Sequence, residues 1–179
     1  MLLRYFIIGV VTFLSTFNPV QAKQSLGLDY LHGSDDITGL RLTYRPIVNH
    51  VPFAKWIGKA SIYWEGSISF WEYGAENSHQ TNFALSLSPV IVKRLSREGV
   101  RHPIFIEGGI GASLVHDRKF AGKDIGSHYQ FEDRLGVIIG LDKERSRELS
   151  IRYMHYSNGG LDSKNPGLDF LSVSYVHNF

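Results

Sequence analysis

The sequence predicts an all-β protein, an eight-stranded antiparallel up-and-down transmembrane β-barrel. Three observations predict it. Apolar and polar residues alternate with period two over eight separate stretches, as in strands with two unlike faces. Each stretch carries large apolar residues on one face and mostly small, polar or charged residues on the other. The stretches are also long enough for tilted strands to cross hydrocarbon, which takes about 9–11 residues.

Composition permits this fold and narrows the function. The chain has 179 residues, enough for one domain with a sizeable core. The formal net charge is +2 and there are no long basic or acidic runs, so nothing points to nucleic acid. Cysteine is absent, which removes disulfides, thiolate metal sites and cysteine nucleophiles together. Of the eight histidines, the seven besides His155, at 32, 50, 79, 102, 116, 128 and 177, are scattered without a close His-x-x-x-His pair, so neither a metal nor another cofactor is expected.

Residues 1–22 read as an export signal. Arg4 supplies the positive start, residues 5–17 an apolar run, and Val20-Gln21-Ala22 a small-residue cleavage site. The run is shorter than the roughly 20 residues a helix needs to span hydrocarbon. The expected mature chain, residues 23–179, begins at Lys23 and works outside the cytoplasm.

The strands follow in order. Residues 25–33 set Leu26, Leu28 and Tyr30 against Gly27 and Asp29. Residues 37–45 set Leu40, Leu42 and Tyr44 against Arg41, Thr43 and Arg45. Residues 60–73 set Ile62, Trp64, Ile68 and Phe70 against Tyr63, Glu65, Ser67 and Ser69. Residues 81–95 set Phe83, Leu85, Leu87 and Ile91 against Ala84, Ser86 and Ser88. Residues 102–116 set Ile104, Ile106, Ile110 and Leu114 against Glu107, Gly109, Gly111 and Ser113. Residues 128–142 set Phe131, Leu135, Val137, Ile139 and Leu141 against Gln130, Glu132, Arg134 and Gly136. Residues 147–158 set Leu149, Ile151 and Tyr153 against Glu148, Ser150 and Arg152, and residues 169–179 set Leu171, Val173 and Tyr175 against Ser172 and Ser174. Residues 46–59 read as a long connection, with a short helix starting at Pro52.

A soluble sandwich or lipocalin-like barrel shows the same alternation. Aromatic residues toward the strand ends favour a membrane barrel, because they form interfacial girdles. So does Phe179, which ends an amphipathic strand and resembles the C-terminal signature of bacterial outer-membrane proteins. Eight strands enclose room only for side chains, so Asp29, Arg41, Arg45, Glu65, Glu107, Glu132, Arg134 and Arg152 are expected to pair inside a packed lumen.

Function is expected around residues 154–170. His155 and Ser157 are two apart and share one face of the seventh strand. Asn158, Gly159 and Gly160 end that strand, Asn165-Pro166-Gly167 marks a turn, and Asp169 opens the eighth. With both termini in the periplasm, this hairpin lies at the outer end of the barrel. Parity with Leu149, Ile151 and Tyr153, and with Leu171, Val173 and Tyr175, points all three polar side chains toward lipid. Polar groups there are costly unless they pair, and hydroxyl, imidazole and carboxylate are the inventory of a Ser-His-acid hydrolase.

The run His155-Tyr156-Ser157-Asn158-Gly159-Gly160-Leu161, then Asn165-Pro166-Gly167 and an acid at 169, resembles the PagL family of outer-membrane lipid A 3-O-deacylases. The resemblance implies a cofactor-free esterase that removes the 3-O acyl chain of lipid A in the bacterial outer membrane. By it, Ser157 is the nucleophile, His155 the base and Asp169 the orienting acid, with Asn165 and Gly160 forming the oxyanion hole and Asn158 and Gly159 in support. Asp169 departs from the family pattern, which has Glu there. Cations at Arg118, Lys119 and Lys123 in the loop of residues 117–127 either meet lipid A phosphates or are simply solvated. A lipid A acyltransferase or phospholipase, or a non-catalytic adhesion or structural barrel, stands as the alternative, and a homodimer is left open.

Overall fold

A computed structural model describes residues 24–51, 60–74 and 80–179. Its strands, in chain order, are β1 (Ser25–Gly33), β2 (Thr38–Val51), β3 (Ala60–Tyr73), β4 (Gln80–Arg94), β5 (Ile104–Val115), β6 (Lys119–Phe120), β7 (Lys123–Asp124), β8 (Tyr129–Gly140), β9 (Arg147–Ser157) and β10 (Leu168–Asn178). Eight of them close an antiparallel barrel in which chain neighbours pair and β10 returns to β1. The short β6 and β7 form a separate hairpin in the connection between β5 and β8. The expected fold class is therefore the observed one. The expected export signal and the helix at residues 52–57 lie outside the described residues.

The first part of one expected connection, residues 46–51, is strand. The β2–β3 ladder runs on to Val51 and Ala60, across a register shift between Tyr44 and Ile47. Pro46 falls in that shift. Proline has no N–H for a ladder, and a bulge is where a strand tolerates it.

The barrel is inverted relative to a soluble protein. Leu28, Leu42, Leu87, Ile151 and Val173 face outward and are about half exposed, whereas Asp29, Arg41, Glu65, Glu132 and Arg152 inside are at most 1% exposed. The charges are laid out as alternating signs. Arg41 donates to Asp29 at 3.0 Å, to Glu65 at 2.9 Å and to Glu132 at 3.0 Å. Glu65 also accepts from Arg45 at 2.9 Å and from Arg134 at 2.6 Å. Arg152 donates to Asp29 at 3.0 Å and to Glu107. Desolvating an ion costs several kcal/mol, and this shared pairing is what offsets it.

Apolar clusters close the lumen on both sides of that network. Phe105, Ile138, Val90, Val92 and Tyr63 pack at the end bearing the chain termini. Trp71, Phe120, Ile125, Met154, Tyr156 and Phe170 pack at the other end, beneath the β6–β7 hairpin. Trp71 stacks on Phe170 with centroids 5.1 Å apart and meets Tyr156 edge-on at 5.0 Å. This packing holds the ends of β9 and β10 rigid where the candidate site begins.

Candidate active site

The ladders align three polar side chains. Asp133 on β8 lies opposite His155 on β9, and His155 lies opposite Asp169 on β10. Met154 and Tyr156 point inward and are essentially fully buried, so His155 points outward. His155 Nδ1 is 2.7 Å from Asp169 Oδ1. A carboxylate oxygen only accepts, so Nδ1 carries the hydrogen and the Nε2 lone pair is left for other work. Tyr153 donates its hydroxyl to the same Asp169 oxygen at 2.5 Å.

Ser157 is on the same face of β9, 9% exposed and opposite Phe131. No hydrogen bond joins its Oγ to the imidazole. Gly167 borders the ring on the Nε2 side. A Cβ placed there would stand 2.6 Å from His155 Cε1 and 3.3 Å from Nε2, and φ is +70°. Glycine is required at this position by both space and backbone.

The loop of residues 158–167 is organised by Asn158, which is fully buried. Its backbone N–H donates to Asn165 Oδ1 at 2.9 Å, and its side-chain amide donates to Ile125 O at 3.0 Å and Lys164 O at 2.7 Å. Its Oδ1 accepts from the Gly160 N–H at 2.9 Å. The side-chain oxygen of Asn165 is thus occupied, which leaves its NH2 as the donating end. Gly159, at φ +63°, packs so near the Phe131 ring that a Cβ would come within 2.8 Å of it. The neighbouring loop is fastened to this one by Lys164 Nζ donating to Asp124 Oδ2 at 2.9 Å. That ammonium, and then the Gly126 N–H, holds the Asp124 carboxyl below the usual carboxylate range.

An outward groove of about 670 Å3 lies on the wall beside the site, lined by Ile62, Pro89, Ile91, Ile110 and Leu135 and reaching Asp133 and Tyr153. Gly108 leaves a gap in the outward row between Ile106 and Ile110, with nothing nearer than 3.7 Å to where a Cβ would be. A second groove of about 680 Å3 passes Tyr30, Leu40, Phe70 and Phe83, and neither groove is lined by His155, Ser157 or Asp169. Among the described residues, no group of three or more His, Asp or Glu side chains is placed to hold a metal ion.

The expected residues thus fall into two groups. His155 and Asp169 are in direct contact, and Asn158, Asn165 and Gly160 are joined in one loop network. Ser157 lies on the same face as His155 with no hydrogen bond to the ring. Sequence reasoning missed Tyr153, Asp133 and the contact of Gly167 with the imidazole. Only the outward parity of Tyr153 and Asp133 could have raised them, because cross-strand partners depend on register.

Fold and comparisons together define the class, an outer-membrane-type β-barrel whose relatives are lipid A deacylases. Residues 38–178 match the family model described as Lipid A 3-O-deacylase (PagL). Lipid A deacylase PagL of Pseudomonas aeruginosa is 32% identical over 118 residues, which is 66% of this chain and 65% of that protein. Lipid A deacylase PagL of Bordetella bronchiseptica is 30% identical over 175 residues, 96% of this chain and 94% of that protein. The match therefore spans just under two thirds of the first relative's length and nearly all of the second's. The crystal structure of the outer membrane enzyme PagL matches with a TM-score of 0.69 at 25% identity, covering 86% of this chain and 98% of that one. The chain belongs to the lipid A 3-O-deacylase (PagL) family.

Proposed function

We propose that this chain is a serine esterase of the bacterial outer membrane that hydrolyses the 3-O-linked acyl chain of lipid A. The observation that carries the reading is the outward His155–Asp169 pair at 2.7 Å, with Ser157 two residues along the same strand face. Residues 1–22 direct export and are cleaved after Ala22. The termini lie in the periplasm, so the site meets the outer leaflet and takes lipid substrate sideways from the membrane.

Ser157 Oγ attacks the ester carbonyl while His155 Nε2 takes its proton, and the carbonyl electron pair moves onto oxygen. Asp169 holds the ring and stabilises the imidazolium. The Asn165 NH2 group is the side-chain donor to the oxyanion. The Gly160 N–H joins it by transferring from Asn158 Oδ1. Collapse breaks the bond to the sugar oxygen, which leaves with the proton from Nε2. Water then attacks the acyl-Ser157 ester by the same route, releasing the fatty acid. Asp169 does the work of the family's Glu because it lies directly opposite His155 in the ladder.

Mass spectrometry of lipid A from cells expressing each variant tests this. Wild type is expected to remove one 3-hydroxyacyl mass, and Ser157→Ala and His155→Asn none. Asp169→Asn should lose about 10⁴-fold, whereas Asp133→Asn should stay near wild type. Unchanged lipid A from a correctly folded wild-type barrel would sink the reading. Transfer of the acyl mass to another lipid would replace hydrolysis by acyl transfer.

A further inference from the structure

Resting on the deacylase reading, we propose that Tyr153 is a positioning residue for the reaction, its hydroxyl holding the Asp169 carboxylate in the orientation that serves His155. Two donors converge on one oxygen: Tyr153 Oη at 2.5 Å and His155 Nδ1 at 2.7 Å from Asp169 Oδ1. An aspartate on an exposed wall turns about two side-chain torsions, and one bond to a histidine leaves it free to swing. A second donor on the same oxygen removes that freedom.

The register explains how the tyrosine arrives. Tyr153 pairs with Leu171, and Asp169 is the next outward residue along β10, so the contact is diagonal. Diagonal neighbours are about 7–8 Å apart, a span that a tyrosine covers with a rigid ring and a polar tip. On a wall facing lipid, little water competes for the carboxylate, so each such bond counts for more.

A girdle tyrosine that happens to find an acceptor would look similar at first sight. The other outward tyrosines argue against it. Tyr30, Tyr44, Tyr129 and Tyr175 also face outward, and among the described residues none of them donates to a carboxylate. The ring of Tyr153 also lines the 670 Å3 groove, so the residue has two separable parts. The ring borders the lipid chain, and the hydroxyl serves the acid.

That separation sets the experiment. Full-length protein, refolded into detergent micelles and checked for the heat-resistant migration of a closed barrel, is assayed on lipid A in mixed micelles by mass spectrometry of the released acid. Tyr153→Phe keeps the ring, so KM should stay within about twofold while kcat falls about tenfold, the scale of one hydrogen bond to a charged group. Asp169→Glu moves the carboxylate outward by a methylene and away from the hydroxyl. In that background, Tyr153→Phe should change kcat by less than about twofold, the signature of coupling in a double-mutant cycle. A Tyr153→Phe enzyme with wild-type kcat, or an equal loss in the Asp169→Glu background, overturns the proposal alone. A wild type that releases no acid overturns it together with the deacylase reading.

Discussion

At position 167 a side chain would press on His155 Cε1 from 2.6 Å, and the backbone there has φ +70°. Gly167→Ala therefore both strains the turn and pushes the imidazole. Displacing a catalytic group by about 1 Å costs on the order of 10²-fold in rate, so the variant should fold normally and lose about that much activity. Lipid A profiles alongside heat-resistant migration check both halves. The His155-x-Ser157 spacing was legible because period two is a property of one strand. The contacts of Tyr153, Asp133 and Gly167 were not, because each depends on how β8, β9 and β10 slide against one another. Alternation within a strand carries no information about that offset.

At the scale of elements, the site is one strand pair and two loops tied together. Asn158 bonds to Ile125, Lys164, Gly160 and Asn165, so it fixes both loops at once. Asn158→Asp keeps an acceptor for Gly160 but removes two donors and leaves buried carbonyls unpaired, at about 1–3 kcal/mol each. Faster amide hydrogen exchange at Gly160 and Leu161, with reduced activity, is the expected result. The Lys164–Asp124 clamp responds differently to acid. A depressed carboxyl pKa gives a contribution that is complete above the ordinary carboxylate range and is lost only as pH falls below it. Between about pH 7 and 5 the clamp is whole. The pH–activity profiles of wild type and Asp124→Asn should therefore have the same shape over that range. All eight barrel strands were legible, with ends off by a few residues. The exception is β2, where Pro46 reads as a stop but sits in a register shift that lets the ladder continue to Val51.

For the whole molecule, the lumen decides stability. Glu65 accepts from Arg41, Arg45 and Arg134 with no exposure to solvent. Glu65→Gln leaves three buried guanidinium groups short of a counter-charge, and breaking such a network costs about 3–5 kcal/mol. A lowered unfolding midpoint in detergent, followed by far-UV circular dichroism, is the expected outcome. The inward row of charges was legible from alternation, because a row of Asp, Glu and Arg opposite a row of Leu, Ile and Val has only one stable placement beside lipid. Which charge meets which was not, since Arg41 meets Asp29 on β1, Glu65 on β3 and, across the lumen, Glu132 on β8, pairings set by register and closure rather than by one strand.

Asp169 is carried by β10, and β10 is also the strand that meets both β9 and β1 to complete the circle. Until β10 pairs with β9, the histidine has no carboxylate and the loop of residues 158–167 has no anchor at its far end. On the deacylase reading, the chain in transit is a natural zymogen. It crosses the periplasm catalytically silent, and insertion is itself the activating step.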